Sequence, residues 1–147
     1  AYTLGRTALT LPVRARIRQG AAIRDAALRA IELDPDHDGA YHVLGRWHAE
    51  IMRLSGISRF FARSFLGARM FDDASWEDAI ANLERAVALD PSYLYHRLDL
   101  AEVLVDRKQW DAARRQLEVI PGLPDRDVLD PVHRERAAAL LAEIAGR

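Results

Sequence analysis

Five histidines, His37, His42, His48, His96 and His133, are the side chains of this sequence best suited to acid–base or metal chemistry. Their spacing supports neither. His42 and His48 are six apart, which does not bring two imidazoles to one helical face, and there is no His-Glu-x-x-His run. Asp34, Asp36 and Asp38 crowd one stretch. A calcium loop would need a longer series of oxygen ligands closed by a bidentate Glu, so these acids read as a turn ahead of a helix, with Asp36 or Asp38 as its cap. No Gly-rich phosphate loop and no Gly-x-Ser-x-Gly elbow occurs, and with no cysteine there is neither a thiolate nucleophile nor a disulfide frame. The expectation is a chain without catalytic residues, metal or cofactor.

Charge narrows the partners. The 147 residues carry a formal net charge of −1, which argues against nucleic acid. The balance is uneven: residues 1–75 hold 11 Arg against 8 acids, and residues 76–147 hold 10 basic against 14 acidic side chains. Arg6 to Arg24 and Arg53 to Arg69 contain no acid at all. Such local fields could steer an acidic partner, although solvated Arg faces of helices are the plainer reading. Lys108 is the only lysine. That bias suggests a GC-rich genome and a bacterial source; the compartment stays open, cytoplasm or periplasm if the source is bacterial. No stretch approaches the roughly 18 apolar residues of a membrane span.

The elements that must position these side chains are helical, given half the residues apolar and rich in Ala and Leu. Residues 26–35 read AALRAIELDP and residues 82–91 read NLERAVALDP. A recurring helix end of this kind marks a repeat. Helices are expected near 1–10, 13–33, 37–54, 57–67, 75–89, 92–106, 109–119 and 131–146. Val13, Ile17, Gly20, Ile23, Ala27 and Ile31 share one face of the second of these. Ser75 with Asp78 opens the helix at 75, and Pro121-Gly122-Leu123-Pro124-Asp125 breaks the pattern as a loop. The last helix has Ala137, Ala138, Leu140, Leu141 and Ile144 on its apolar side and Arg134, Glu135, Arg136 and Glu143 on a wet one, as a terminal cap requires.

The order of small and large residues resembles the tetratricopeptide repeat, in which Gly and Ala sit where two antiparallel helices cross. Tyr41-x2-Leu44-Gly45-x2-His48 fills first-helix positions, and Ala79-x3-Leu83, Ala86 and Pro91 fill second-helix positions. His48 then takes a packing slot usually held by an aromatic. The next unit uses Leu100-Ala101-x2-Leu104 and Ala113-x3-Leu117. Ala1-x2-Leu4-Gly5 begins part-way into an earlier first helix, as a fragment would, with residues 1–147 forming one repeat domain. An opened first repeat would show apolar Tyr2, Leu4 and Leu11 and favour homo-oligomers. Pro35 and Pro91 lie 56 residues apart, whereas a unit takes about 34, so the middle repeat carries an insertion of roughly 22 residues near 55–75.

In hairpins of this type the first helices line the concave face. His42, Arg46 and Glu50 from one unit, with Tyr95, Leu98 and Glu102 from the next, form a candidate groove for a peptide carboxylate or a partner helix. The competing reading pairs Arg46 with Glu50, four residues on, over a solvated face. The insertion offers a second candidate surface: Arg59, Phe60, Arg63 and Arg69 could lie on a membrane as a basic amphipathic helix, or could bury their aromatics over a neighbouring helix pair.

From Ala30 onward the chain resembles the regulator of microtubule dynamics family. The residues that carry the resemblance are Ala30-Ile31-Glu32-Leu33-Asp34-Pro35, Leu44-Gly45-Arg46-Trp47-His48, the insertion with Arg59, Arg63 and Phe65-Leu66-Gly67, then Ser75-Trp76-Glu77-Asp78-Ala79 and Leu89-Asp90-Pro91-Ser92-Tyr93. The resemblance implies an all-α repeat that acts through protein contacts and lacks catalytic residues. In animals the family is linked with microtubules and mitochondrial membranes, a role that a bacterial source would not carry over.

Overall fold

A computed structural model describes residues 13–54 and 72–147. The helices expected near 1–10 and 57–67 lie outside the described residues. Among the described residues there are six α-helices: α1 (Val13–Leu33), α2 (Asp38–Arg53), α3 (Trp76–Leu89), α4 (Leu94–Asp106), α5 (Trp110–Val119) and α6 (Asp130–Glu143). The first five each pack chiefly on a sequence neighbour, so that α2 with α3 and α4 with α5 form successive hairpins and α1 lies against α2, while α6 closes the array over α4 and α5. The described architecture is an all-α helical repeat.

Small residues set the spacing. Ala79, Leu83, Ala86, Leu94, Ala101 and Ala113 are fully buried, the alanines allowing close approach and the leucines filling the gaps between. α4 is buried nearly all round, from Leu94 through Leu104, because it has neighbours on several sides. α5 and α6 bury narrower stripes, Ala113 and Leu117 in one, Ala137 and Leu140 in the other. Against α1, the indole of Trp47 donates to the Gly20 carbonyl at 2.9 Å, and the guanidinium of Arg24 sits 5.5 Å above the same ring.

Helix ends depart from expectation in three places. The cap of α2 is His37, whose Nδ1 accepts from the Ala40 N–H at 3.2 Å. Asp36 and Asp38 are drawn elsewhere, Asp36 to Arg85 at 3.0 Å and Asp38 to His96 at 2.8 Å. The stretch after α5 is not loop throughout: Ile120–Gly122 forms a 3₁₀ turn, pinned by fully buried Ile120. Arg134 leaves the wet face of α6 and reaches back to that turn, donating to the Ile120 carbonyl at 2.6 Å and to Asp125 at 2.9 Å. Ser75 does cap α3, its hydroxyl accepting from the Asp78 N–H at 3.0 Å.

Candidate functional site

Polar side chains recur every three to four residues along one edge of α2, as Asp38, His42, Arg46, Glu50 and Arg53. α4 answers with Tyr95, His96, Asp99, Glu102 and Asp106. The two rows meet in register. His96 Nε2 lies 2.8 Å from Asp38 Oδ2, and its Nδ1 lies 2.8 Å from His42 Nδ1. His42 Nε2 is 3.0 Å from Asp99 Oδ2, and Arg46 reaches the same carboxylate at 3.1 Å. Further along, Arg53 binds Asp106 at 2.7 Å and Glu50 at 2.7 Å. Arg46–Asp99 and Arg53–Asp106 each join residues 53 apart in the chain, so a single helix-to-helix offset generates both.

The centre of this strip is dry and its ends are wet. The Asp99 side chain is 6 % exposed and His96 is 2 % exposed, whereas Arg46 is 40 % exposed. Burial lowers the His96 pKa; the Asp38 hydrogen bond opposes that effect and the charge of His42 adds to it. Burial also works against the Arg46 cation, but the charge of Asp99, helped by Tyr95 and Glu50, outweighs it and holds the guanidinium firmly charged. Arg46 donates to the Tyr95 hydroxyl as well. Tyr95 in turn stacks on His133 of α6, with ring centres 4.2 Å apart and planes within 6°. Below these, fully buried Asp130 accepts from the Arg126 and Asp127 N–H groups at 2.6 and 2.8 Å.

The expected groove residues divide. His42, Arg46 and Tyr95 do come together, and Glu50 joins them loosely, 3.7 Å from Arg46. That distance makes Asp99, not Glu50, the main partner of Arg46. Glu102 is turned to Arg136 of α6 at 3.0 Å. Leu98 is 2 % exposed and belongs to the core, since α4 is enclosed on the side where it points. Arg59, Phe60, Arg63 and Arg69 lie outside the described residues. His96, Asp99 and Asp38 are the members that spacing within one helix does not reveal; the 53-residue offset between repeats would have placed two acids opposite two arginines. His48 sits apart, buried edge-on to Trp47, accepting from the Ser75 N–H at 3.3 Å. Among the described residues no group of three or more His, Asp or Glu side chains is arranged to hold a metal ion, and no described helix is long and apolar enough to cross a membrane.

The sequence model of a family described as regulator of microtubule dynamics protein 1–3 matches residues 1–145. The chain belongs to that family. It is 27 % identical over 120 residues to regulator of microtubule dynamics protein 1 of Caenorhabditis elegans, covering 80 % of this chain and 52 % of the relative. The chain thus spans about half the length of the curated relative it matches. Membership in the regulator of microtubule dynamics family suggests a regulatory or interaction role, and in this member the strip between α2 and α4 is where the polar chemistry concentrates.

Proposed function

We propose that this chain is a non-enzymatic adaptor, that its hairpins are tetratricopeptide units of one domain, and that it holds a peptide or partner helix along the α2–α4 face. The observation that supports this reading is the strip itself: exposed Glu50 and Arg136 flank a row of charges whose buried centre is already paired. A face of this kind is rigid before a partner arrives, so less ordering is needed on binding. Because the inner cations have acids of their own, recognition rests on the outer charges and on the Tyr95 ring. A lone carboxylate seeking Arg46 would have to displace Asp99.

The test is a capture experiment with the charge-reversal pair Glu50→Arg and Glu102→Arg beside the parent chain. Loss of bound proteins is expected, with the chain still folded and only a modest fall in melting temperature from the surface pairs removed. Capture of the same proteins in the same amounts would sink the assignment of this face. A co-sedimentation arm with polymerised tubulin asks whether the link carried in the relative's name extends to this chain.

A further inference from the structure

The contact between His42 and His96 poses a proton-counting problem. Four ring nitrogens lie in a row with three close contacts: Asp38 to His96 Nε2, His96 Nδ1 to His42 Nδ1, and His42 Nε2 to Asp99. A neutral imidazole carries one N–H, and an ionised carboxylate can only accept. Both Nε2 atoms therefore need protons, one for each carboxylate. Two neutral rings so arranged would leave two Nδ1 lone pairs facing each other at 2.8 Å. Moving either ring to its other tautomer repairs that contact but turns a bare nitrogen towards Asp38 or Asp99. With four protons the two Nδ1–H groups collide. Only three protons, two on Nε2 and one between the Nδ1 atoms, satisfy every contact.

Charge also favours a shared proton. Facing the pair are Asp38 and Arg46 from α2, Tyr95 and Asp99 from α4, and Tyr93 and Asp90 from the turn before it, with His133 and Asp130 of α6 behind Tyr95 and Arg126 and Asp127 behind Tyr93. Asp90 and Asp130 are already committed, the first to Arg126 at 2.6 Å and the second to two backbone N–H groups. Asp38 and Asp99 flank the two rings, and one shared proton places a positive charge between these two carboxylates. His42 Nε2 and Asp99 Oδ2 are close without hydrogen-bond alignment, which is a contact that charge, more than direction, must hold.

We propose that His42 and His96 share a single proton, and that the joint between the two hairpins is a proton-sensitive device, tightest when one proton, and neither two nor none, lies between the rings. Acidification adds a second positive charge to a pair 2.8 Å apart, and alkali removes the bridge. Either change loosens α2 from α4, the two helices that line the proposed binding face.

Ring nitrogen NMR of the histidine-labelled full chain, followed from about pH 5 to 9 around the ordinary histidine range, decides the count. Two protonated Nε2 signals and two Nδ1 signals shifted together to values between bare and protonated are expected at neutrality. Two bare Nδ1 signals assigned to His42 and His96, or one bare Nε2 signal from either ring, would overturn the proposal; His37 and His48, whose Nδ1 atoms accept backbone N–H groups, give bare Nδ1 signals in any case. A second measurement is thermal unfolding across the same range for the parent and His42→Asn, whose amide N–H can replace the bridge without a charge. The parent should lose about 3 °C on each side of its optimum, and the variant should lose only on the acid side. Identical profiles for the two proteins would equally overturn it.

Discussion

Gly45 of α2 lies directly against Leu83 of α3. A β-carbon built on Gly45 would stand 2.7 Å from Leu83 Cγ and 3.0 Å from the Ala79 carbonyl oxygen, in the tightest part of the hairpin. The carbonyl is helix backbone and cannot yield, so even one methyl must push α2 and α3 apart. Gly45→Ala is expected to destabilise the chain by about 2 kcal/mol, within the range for overpacked sites, despite the better helix propensity of alanine. Urea unfolding measures it; an equal or higher midpoint would show that the hairpin can breathe.

Lys108 shows the opposite relation between residue and place. Its φ is 58°, in the left-handed region, and it follows α4 with Lys108 N–H to Val105 O at 2.9 Å and Gln109 N–H to Leu104 O at 2.9 Å. That is the bond pattern of a helix stop normally built on glycine. Lys108→Gly should stabilise by about 1 kcal/mol, the cost of left-handed backbone for a residue with a β-carbon. A lower melting temperature for the variant would contradict it.

The hairpins were legible in the sequence because their determinants are local or strictly spaced. Leu44-Gly45, Ala79-x3-Leu83 and the two Leu-Asp-Pro ends announce a close crossing and its terminations, and α1 to α5 fall within two residues of expectation. The buried polar chain was not. His42 and His96 are 54 residues apart, and within either helix each looks like an isolated imidazole. His37 took the cap position because Asp36 and Asp38, the better intrinsic caps, had partners far along the same chain in Arg85 and His96. Tertiary pairing overrode local preference in both cases.

Acid sensitivity should centre on Asp130. Burial alone would raise its pKa, but the Arg126 and Asp127 N–H groups, with His133 and Arg134 nearby, outweigh burial and hold the carboxyl below the ordinary range. A lowered folded-state pKa means that the unfolded chain binds the proton more readily. The contribution is thus fully present above the unfolded value, about 3.9, and is lost as pH falls through the folded one. Asp130→Asn keeps an oxygen for the two N–H groups and loses the charge. It should cost about 1 kcal/mol at neutral pH and flatten that acid limb. A variant that unfolds with the parent's acid profile would assign the limb to other carboxyls, Asp90 first, which is lowered by its bonds to Arg126 and Ser92 against burial.

The Arg46–Asp99 pair sets how much the strip contributes to holding the hairpins together. Removing one member of a fully buried pair typically costs about 3–5 kcal/mol because a bare charge stays behind. Here that figure must be discounted, since Arg46 is 40 % exposed and water screens it. Asp99 is the enclosed partner, and it also faces His42 at 3.0 Å. The two single substitutions should therefore be unequal. Arg46→Leu strands a buried carboxylate, whereas Asp99→Leu frees an arginine that can turn to Glu50 and solvent. We expect Arg46→Leu to be the more damaging, and the double variant to recover part of the loss, with a coupling of about 1–2 kcal/mol. Equilibrium unfolding of the four chains of the cycle measures it. Strict additivity would mean that the two side chains are neighbours without being partners, and that the register of α2 against α4 is set by the apolar contacts alone.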